Sequence, residues 1–260
     1  MRKRALAVLA LAATAVSGSV MAWEGSGSGG SLDLNGTLTP QKKVIPWEVI
    51  VGSAVSDLNA EFAVGATVVE IPVTKSITAL GIRTISKDAF MGQTGIAPQV
   101  DFKNAVDLSG FSEGVTTLTL DVKDSADTKI GVLTAPFSTA AVVSLTGSGS
   151  SNTQQSLNAP NAKDGFFGGL STGSGGINSS AEAKALISKL NPEIVENYNP
   201  QSLSEGTSST SNTFNMSGGL YSAMYGAGIE VGKTIKLTLS NPANSALAWK
   251  ASLPVTVSYQ

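Results

Sequence analysis

Short stretches with a side-chain period of two, set between turns, constrain this chain's fold more than any other feature. At the C-terminal end, Leu253, Val255, Val257 and Tyr259 fall on one side, and Ser252, Pro254, Thr256, Ser258 and Gln260 on the other. Such alternation makes a strand with one face in a core and the other in water. The same pattern predicts strands at 47–51, 67–73, 77–85, 98–102, 115–122, 129–134, 139–145, 234–240 and 252–259, with a weaker one at 31–39. Residues 124–127 form a polar turn between Leu118, Leu120 and Val122 on one side and Ile130 and Val132 on the other. Most gaps are too short for the crossover helices that a parallel sheet requires. The expected fold is all-β, an antiparallel sandwich.

One region breaks the pattern. From Gly147 to Gly176 the chain is rich in Ser, Gly and Asn, interrupted by Phe166-Phe-Gly-Gly-Leu170. Ser180–Leu190 then reads as a helix with Ser179 or Ser180 as its cap, Pro192 marking its end, and Ala183, Leu186, Ile187 and Leu190 as its apolar stripe. A second short helical piece is expected at 192–198, and 199–217 returns to Ser, Thr and Asn. A connection of this length is too long to serve only as a link. Residues 147–217 are therefore expected to be an inserted, partly helical subdomain packed by Phe166, Phe167, Leu170 and Tyr198.

The opening residues have the pattern of an export signal. Arg2, Lys3 and Arg4 precede an apolar run, and Val20 and Ala22 stand at the −3 and −1 positions of a small-residue cleavage site. Residues 1–22 are expected to be removed, leaving Trp23 first. Three of the 17 basic residues leave while all 19 acidic residues stay, so the net charge falls from −2 to −5. That balance argues against nucleic acid as a partner. No later run of apolar residues is long enough for a membrane-spanning helix.

Cysteine and histidine are both missing. Thiol, Cys–His and Ser–His–Asp nucleophiles are thereby excluded, and a zinc site would have to be built from carboxylates alone. Asp121, Asp124 and Asp127 form a solvated turn, without the glycine and distal Glu of a calcium-binding loop. Glu193 and Glu196, the best carboxylate pair, fall on a helix surface. No phosphate-binding glycine loop is present. No enzyme, no metal and no cofactor is expected.

Residues 23–31 are mostly Gly and Ser, a linker composition. In 31–39, Leu32, Leu34, Gly36 and Leu38 share one face. This segment is either a weak edge strand of its own domain or a strand meant for another copy. An immunoglobulin-like sandwich that lacks its last strand needs one from outside. Residues 23–39 would then be a donor extension and 40–260 the acceptor domain. Head-to-tail donation does not close, so it builds filaments. Before assembly the groove would be an exposed apolar edge, so a chaperone strand should cover it, pairing beside Leu253, Val255, Val257 and Tyr259.

The order and spacing of several motifs resemble the K88/F41-type fimbrial subunits of enterotoxigenic bacteria. Trp23, the Gly-containing segment Gly30–Thr39 and Trp47 match the opening. Phe166-Phe-Gly-Gly-Leu170 and Ser222-Ala-Met-Tyr-Gly-Ala-Gly-Ile229 match the middle, and Trp249, Leu253, Val255 and Tyr259 the close. The resemblance implies an incomplete immunoglobulin-like sandwich without a disulfide, completed by a neighbour's donor strand. It implies export through the periplasm, a chaperone, an outer-membrane usher, neighbouring subunits as partners, and a place in a surface fimbria. It further implies that the subunit is itself the adhesin, binding a galactose-containing host glycan through the insertion. Candidate glycan contacts there are Lys163, Asp164, Phe166, Phe167, Glu182 and Tyr198. A minor non-adhesive subunit, and a free-standing secreted carbohydrate-binding sandwich, are the alternatives.

Overall fold

The computed structural model describes residues 32–38 and 43–260, except 148, 150, 151 and 174. The expected signal peptide, the Gly/Ser leader and Thr39 lie outside the described residues. Contacts divide the chain into two units, Met1–Lys43 and Val44–Gln260. In the first, residues 32–38 carry no regular secondary structure.

The second unit is mostly β. In chain order it comprises β1 (Trp47–Val51), β2 (Ala66–Pro72), β3 (Ile77–Thr84), β4 (Phe90–Met91), β5 (Pro98–Asp101), β6 (Val115–Lys123), β7 (Lys129–Gly147), β8 (Thr153–Leu157), α1 (Ser180–Leu190), β9 (Glu205–Thr210), β10 (Gly219–Ile229), β11 (Thr234–Ala243) and β12 (Thr256–Tyr259). The main path through the larger sheet is β1-β3-β10-β7-β11-β2, while β5 and β12 form a separate pair. The pairings are antiparallel except for β8 with β9, which is parallel.

The central strand β7 explains how the layers join. Its first part pairs with β11 from Gly131 to Thr134, and its second part with β10 from Ser138 to Gly147. Pro136 sits between those two ladders, which is why the sequence suggests two strands where there is one. The second part is buried without interruption from Phe137 to Leu145 because both of its faces are covered. Ala141, Val143 and Leu145 join the main core with Leu80, Ile82, Phe137 and Tyr225. Ala140 and Val142 meet a second core formed with Ala183, Leu186, Ile187, Leu190, Ile194, Tyr198 and Met224.

Helix α1 starts where Ser179 accepts a hydrogen bond from the Glu182 amide, and it buries the expected stripe of Ala183, Leu186, Ile187 and Leu190. Asn191 ends it, and its side chain accepts from Glu193 N to open a 3-10 turn over Pro192–Val195. Gly226 allows the helix to lie close on β10, since a Cβ there would fall 3.1 Å from Ile187 Cγ2. Arg83 on β3 ties the turn to β1: Nε donates to Glu48 Oε1 at 2.5 Å and Nη1 to the Glu193 carbonyl.

Strands β8, β9 and β10 were not expected from the sequence. β9 is a polar edge strand, and β8 between β7 and β9 is buried but polar, with Gln154 accepting from the Tyr198 hydroxyl and Ser156 donating to the Asn178 carbonyl. β10 is hidden by its glycines and serines, which sit under α1 and within the core.

Candidate functional site

The dominant concavity is a groove of about 760 Å³ in the second unit. Its floor is apolar, from Val69 and Ile71 of β2, Leu118 and Leu120 of β6, Leu133 and Phe137 of β7, Ile229 of β10 and Leu237 of β11. One wall is Leu247–Ala251 with Leu253 and Val255, and the other runs from Val51 to Phe62.

The first wall is the C-terminal strand. Gln260 and Ala97 exchange both backbone hydrogen bonds at 3.1 Å, and Lys250 and Lys123 do so at 2.9 Å. The β12–β5 register places Ser258 opposite Gln99 and Thr256 opposite Asp101. In an antiparallel ladder bonded and non-bonded residues alternate. Lys250, Thr256, Ser258 and Gln260 therefore bond outward to β5 and β6, and the odd-numbered residues turn their N–H and C=O to the opposite edge, which borders the groove from Trp249 to Val255. Their side chains, Leu253, Val255, Val257 and Tyr259, are the half-buried ones, and the even-numbered neighbours are exposed. Pro254 is tolerated because its missing N–H falls on the outward side, between the β6 and β5 pairings.

The second wall has strand-like alternation but no ladder. Leu58, Ala60 and Phe62 are half-buried against the main core, while Asp57, Asn59 and Glu61 are exposed. Among the described residues from Ser53 to Phe62, the one backbone–backbone bond outside regular elements joins Asn59 N to Asp57 O. This wall was missed in the sequence. Its signal is the alternation of Leu58, Ala60 and Phe62, masked by the polar and small residues before it.

In residues 32–38, Leu32, Leu34 and Leu38 are 84%, 85% and 98% exposed, and a Cβ on Gly36 would meet nothing within 4 Å.

The six glycan candidates are distributed over two faces of the sheet. Phe166 is fully buried, stacked on Tyr225 with centroids 5.3 Å apart and edge-on to Trp47 at 5.7 Å. It offers no ring face to a sugar. Phe167 is half-buried against the same core. Asp164 is buried and accepts from Asn161 N at 2.8 Å. Lys163 is exposed, and its amide donates to Gln99 Oε1 at 3.1 Å. Tyr198 lies in the second core, its hydroxyl donating to Gln154 Oε1 at 2.8 Å, and burial pushes that hydroxyl well above its ordinary titration range. Glu182 is exposed in the first turn of α1. Among the described residues of 147–217 no aromatic side chain is exposed.

Buried Gln99 was not singled out by the sequence. Its amide donates to the Asp164 carbonyl at 2.9 Å while accepting from Lys163, so it clamps the 161–167 loop to β5. The glycines of Phe166-Phe-Gly-Gly-Leu170 have the same architectural role. Gly168 has φ +83° with its Cα against the Val100 carbonyl, and the Gly169 carbonyl accepts from the buried Tyr225 hydroxyl at 3.1 Å.

The family model described as "Fimbrial, major and minor subunit" matches residues 2–260. This chain belongs to that K88-type family of fimbrial subunits. It is similar to the Escherichia coli K88 fimbrial proteins AC and AB, each 29% identical over 99% of both chains. It is similar also to the E. coli F41 fimbrial protein, 25% identical over the full length of both. A fimbrial subunit is a structural protein and not an enzyme, and its partners are other subunits of the fimbria. Among the described residues no helix is long and apolar enough to cross a membrane. The motifs carrying the likeness fall on structural positions: Trp47, Phe166 and Tyr225 meet in one aromatic cluster, and Trp249, Leu253 and Val255 line the groove.

Proposed function

We propose that this fimbrial subunit polymerises by donating residues 31–39 to the groove of the next copy. The observation that carries the reading is the groove itself, an apolar trough bordered by Trp249, Ala251, Leu253 and Val255, whose backbone groups have no ladder partner among the described residues. Leu32, Leu34 and Leu38 are its natural filling, with Gly36 on the same face. Burying three leucines contributes roughly 5–9 kcal/mol. Ordering the seven residues 32–38 costs about 7–14 kcal/mol. Leucine burial alone therefore does not win. Backbone pairing along the groove, net about 0.5–1.5 kcal/mol per bond, and the covering of the acceptor's own apolar floor tip the balance.

Until a donor arrives, the trough and the half-buried C-terminal strand form an exposed edge that invites aggregation. A periplasmic chaperone strand is the proposed cover, pairing beside Leu253, Val255, Val257 and Tyr259, with an outer-membrane usher receiving the complex. The route runs through the periplasm to the cell surface.

We also propose that the subunit is an adhesin for a host glycoconjugate, in which a galactose-containing glycan is the receptor class. No described residue of 147–217 lines the groove, so a receptor surface on the insertion stays available after assembly. Lys163, Glu182 and the half-buried Phe167 are the accessible candidates, and Asp164, Phe166 and Tyr198 support them from below.

The deciding experiment expresses the mature protein with and without its chaperone and separates unheated samples by size. A ladder of heat-sensitive multimers that vanishes when residues 23–39 are deleted supports donor-strand assembly. A stable monomer indifferent to the deletion makes the protein a free-standing module. Multimers that bind no galactose-containing glycan make it a non-adhesive subunit.

A further inference from the structure

Asn35-Gly36 is the one Asn-Gly dipeptide in the 260 residues. It lies at the centre of Leu32–Leu38, where every residue is exposed and none belongs to a helix or strand. Nothing lies within 4 Å of where a Cβ on Gly36 would be. The surroundings of Gly36 are open, and glycine leaves the backbone free to bring its nitrogen onto the preceding side chain. Asp164-Gly165 has the same spacing but the opposite setting. There Gly165 N donates to the Asn212 carbonyl at 2.7 Å and Asp164 is buried.

We propose that Asn35 is a site of spontaneous deamidation that withdraws unassembled subunits from polymer growth. Its chemistry is independent of the donor-strand reading, and its consequence for assembly rests on that reading. Solvent base removes the Gly36 amide proton, and the nitrogen adds to Cγ, the amide carbonyl carbon of Asn35. The Cγ–Nδ2 bond breaks, Nδ2 leaves as ammonia after taking up a proton, and a cyclic imide remains. Water opens the imide at either carbonyl. One opening gives aspartate at position 35, the other isoaspartate, in which the backbone runs through Cβ and Cγ.

Both products alter the strand. Aspartate at 35 adds a negative charge two residues from Asp33, on the same outward face. Isoaspartate is more disruptive, because it inserts one extra backbone atom between Leu34 and Leu38. The extra atom breaks the regular repeat, so the ladder bonds and the Leu38 side chain fall out of register with Leu32 and Leu34. An inserted donor strand, in contrast, has its backbone fixed in extended geometry, which holds the Gly36 nitrogen away from the Asn35 amide. Conversion is therefore slow in multimers and fast in waiting subunits.

The test ages the purified full-length mature protein in mildly alkaline buffer, beside purified multimers. Digestion and mass spectrometry locate the exchange of NH2 for OH, and isoaspartyl methyltransferase labels isoaspartate. Position 35 is expected to convert several-fold faster in the unassembled protein. Aged subunits should lose multimer formation in proportion, while Asn35→Ala, whatever its starting level, should form multimers equally before and after ageing. The proposal is overturned if position 35 stays Asn while other exposed asparagines convert, if monomers and multimers convert equally, or if aged subunits polymerise like fresh ones. Fresh subunits lacking residues 23–39 that still form heat-sensitive multimers would sink the donor-strand reading by itself, and the mass at position 35 would still decide the chemistry.

Discussion

Gln260 and Ala97 exchange both backbone hydrogen bonds at 3.1 Å, and this pairing sets the direction of every backbone group in the last strand. Because Gln260 bonds outward to Ala97, so do Ser258 and Thr256 to β5, and the odd-numbered residues are left facing the groove. Side-chain alternation and backbone alternation thus agree. The residues whose apolar side chains face the core are those whose N–H and C=O point away from β5.

Replacing Leu34 with Asp should stop polymer growth. The change removes about 2 kcal/mol of apolar burial and carries a charge into an apolar trough, which costs several kcal/mol more. Unheated electrophoresis should show loss of the multimer ladder, while the chaperone still co-purifies at its normal yield. Unchanged polymer length would mean that residues 31–39 are not the donor.

Deleting Tyr259 and Gln260 should weaken the acceptor. It removes the two Ala97 bonds and a half-buried ring whose hydroxyl is already pushed above its ordinary range by burial. The expected loss is about 2–4 kcal/mol, seen as a lower denaturant midpoint and a smaller periplasmic yield. A normal midpoint would show that the last pair of the strand does not contribute.

Phe166→Ala should cost about 3–5 kcal/mol, the usual penalty for emptying a buried aromatic site. Phe166 touches Trp47, Phe214 and Tyr225 within one aromatic cluster. Chemical denaturation measures the cost. Glycan binding per folded molecule should not change. Lost binding at full stability would return Phe166 to the receptor surface.

Alkaline pH should unfold the protein through its buried tyrosines. Burial raises Tyr198 and Tyr225 far above the ordinary value of 10.0. The unfolded protein therefore ionises first. The stabilisation is fully present below about pH 10 and is lost progressively as pH rises above it. Tyrosinate absorbance followed with the loss of β-sheet signal should show the last tyrosines ionising together with unfolding. Ionisation of all four tyrosines while the fold persists would contradict the burial.

Much of the architecture was legible from local pattern. The Ser180–Leu190 helix and its stripe are borne out, as are the strands at 47–51, 77–85 and 115–122 within a residue or two. Regular elements declare themselves wherever one face is apolar. β10 did not, because Gly226 and Gly228 provide room for neighbours rather than apolar surface. β8 did not, because its buried positions are Gln154 and Ser156, satisfied by distant hydrogen-bond partners, and β9 did not, because it is a polar edge strand. Lys163–Phe167 was legible as a special loop, but its residues are largely held inward by Gln99 and Trp47, partners 60 and more positions away in sequence.

By itself, the sequence determined the all-β class, the helix over Ser180–Leu190, and the alternation of residues 31–39 and of the last strand. These depend on side-chain period, which is local. Tertiary structure alone decided that the last strand bonds outward and leaves its other edge open, that residues 51–62 form the facing wall, and that Phe166 and Tyr198 belong to cores on opposite faces of one sheet. Each depends on which distant backbone or side chain arrives alongside, and a period of two carries no record of the partner.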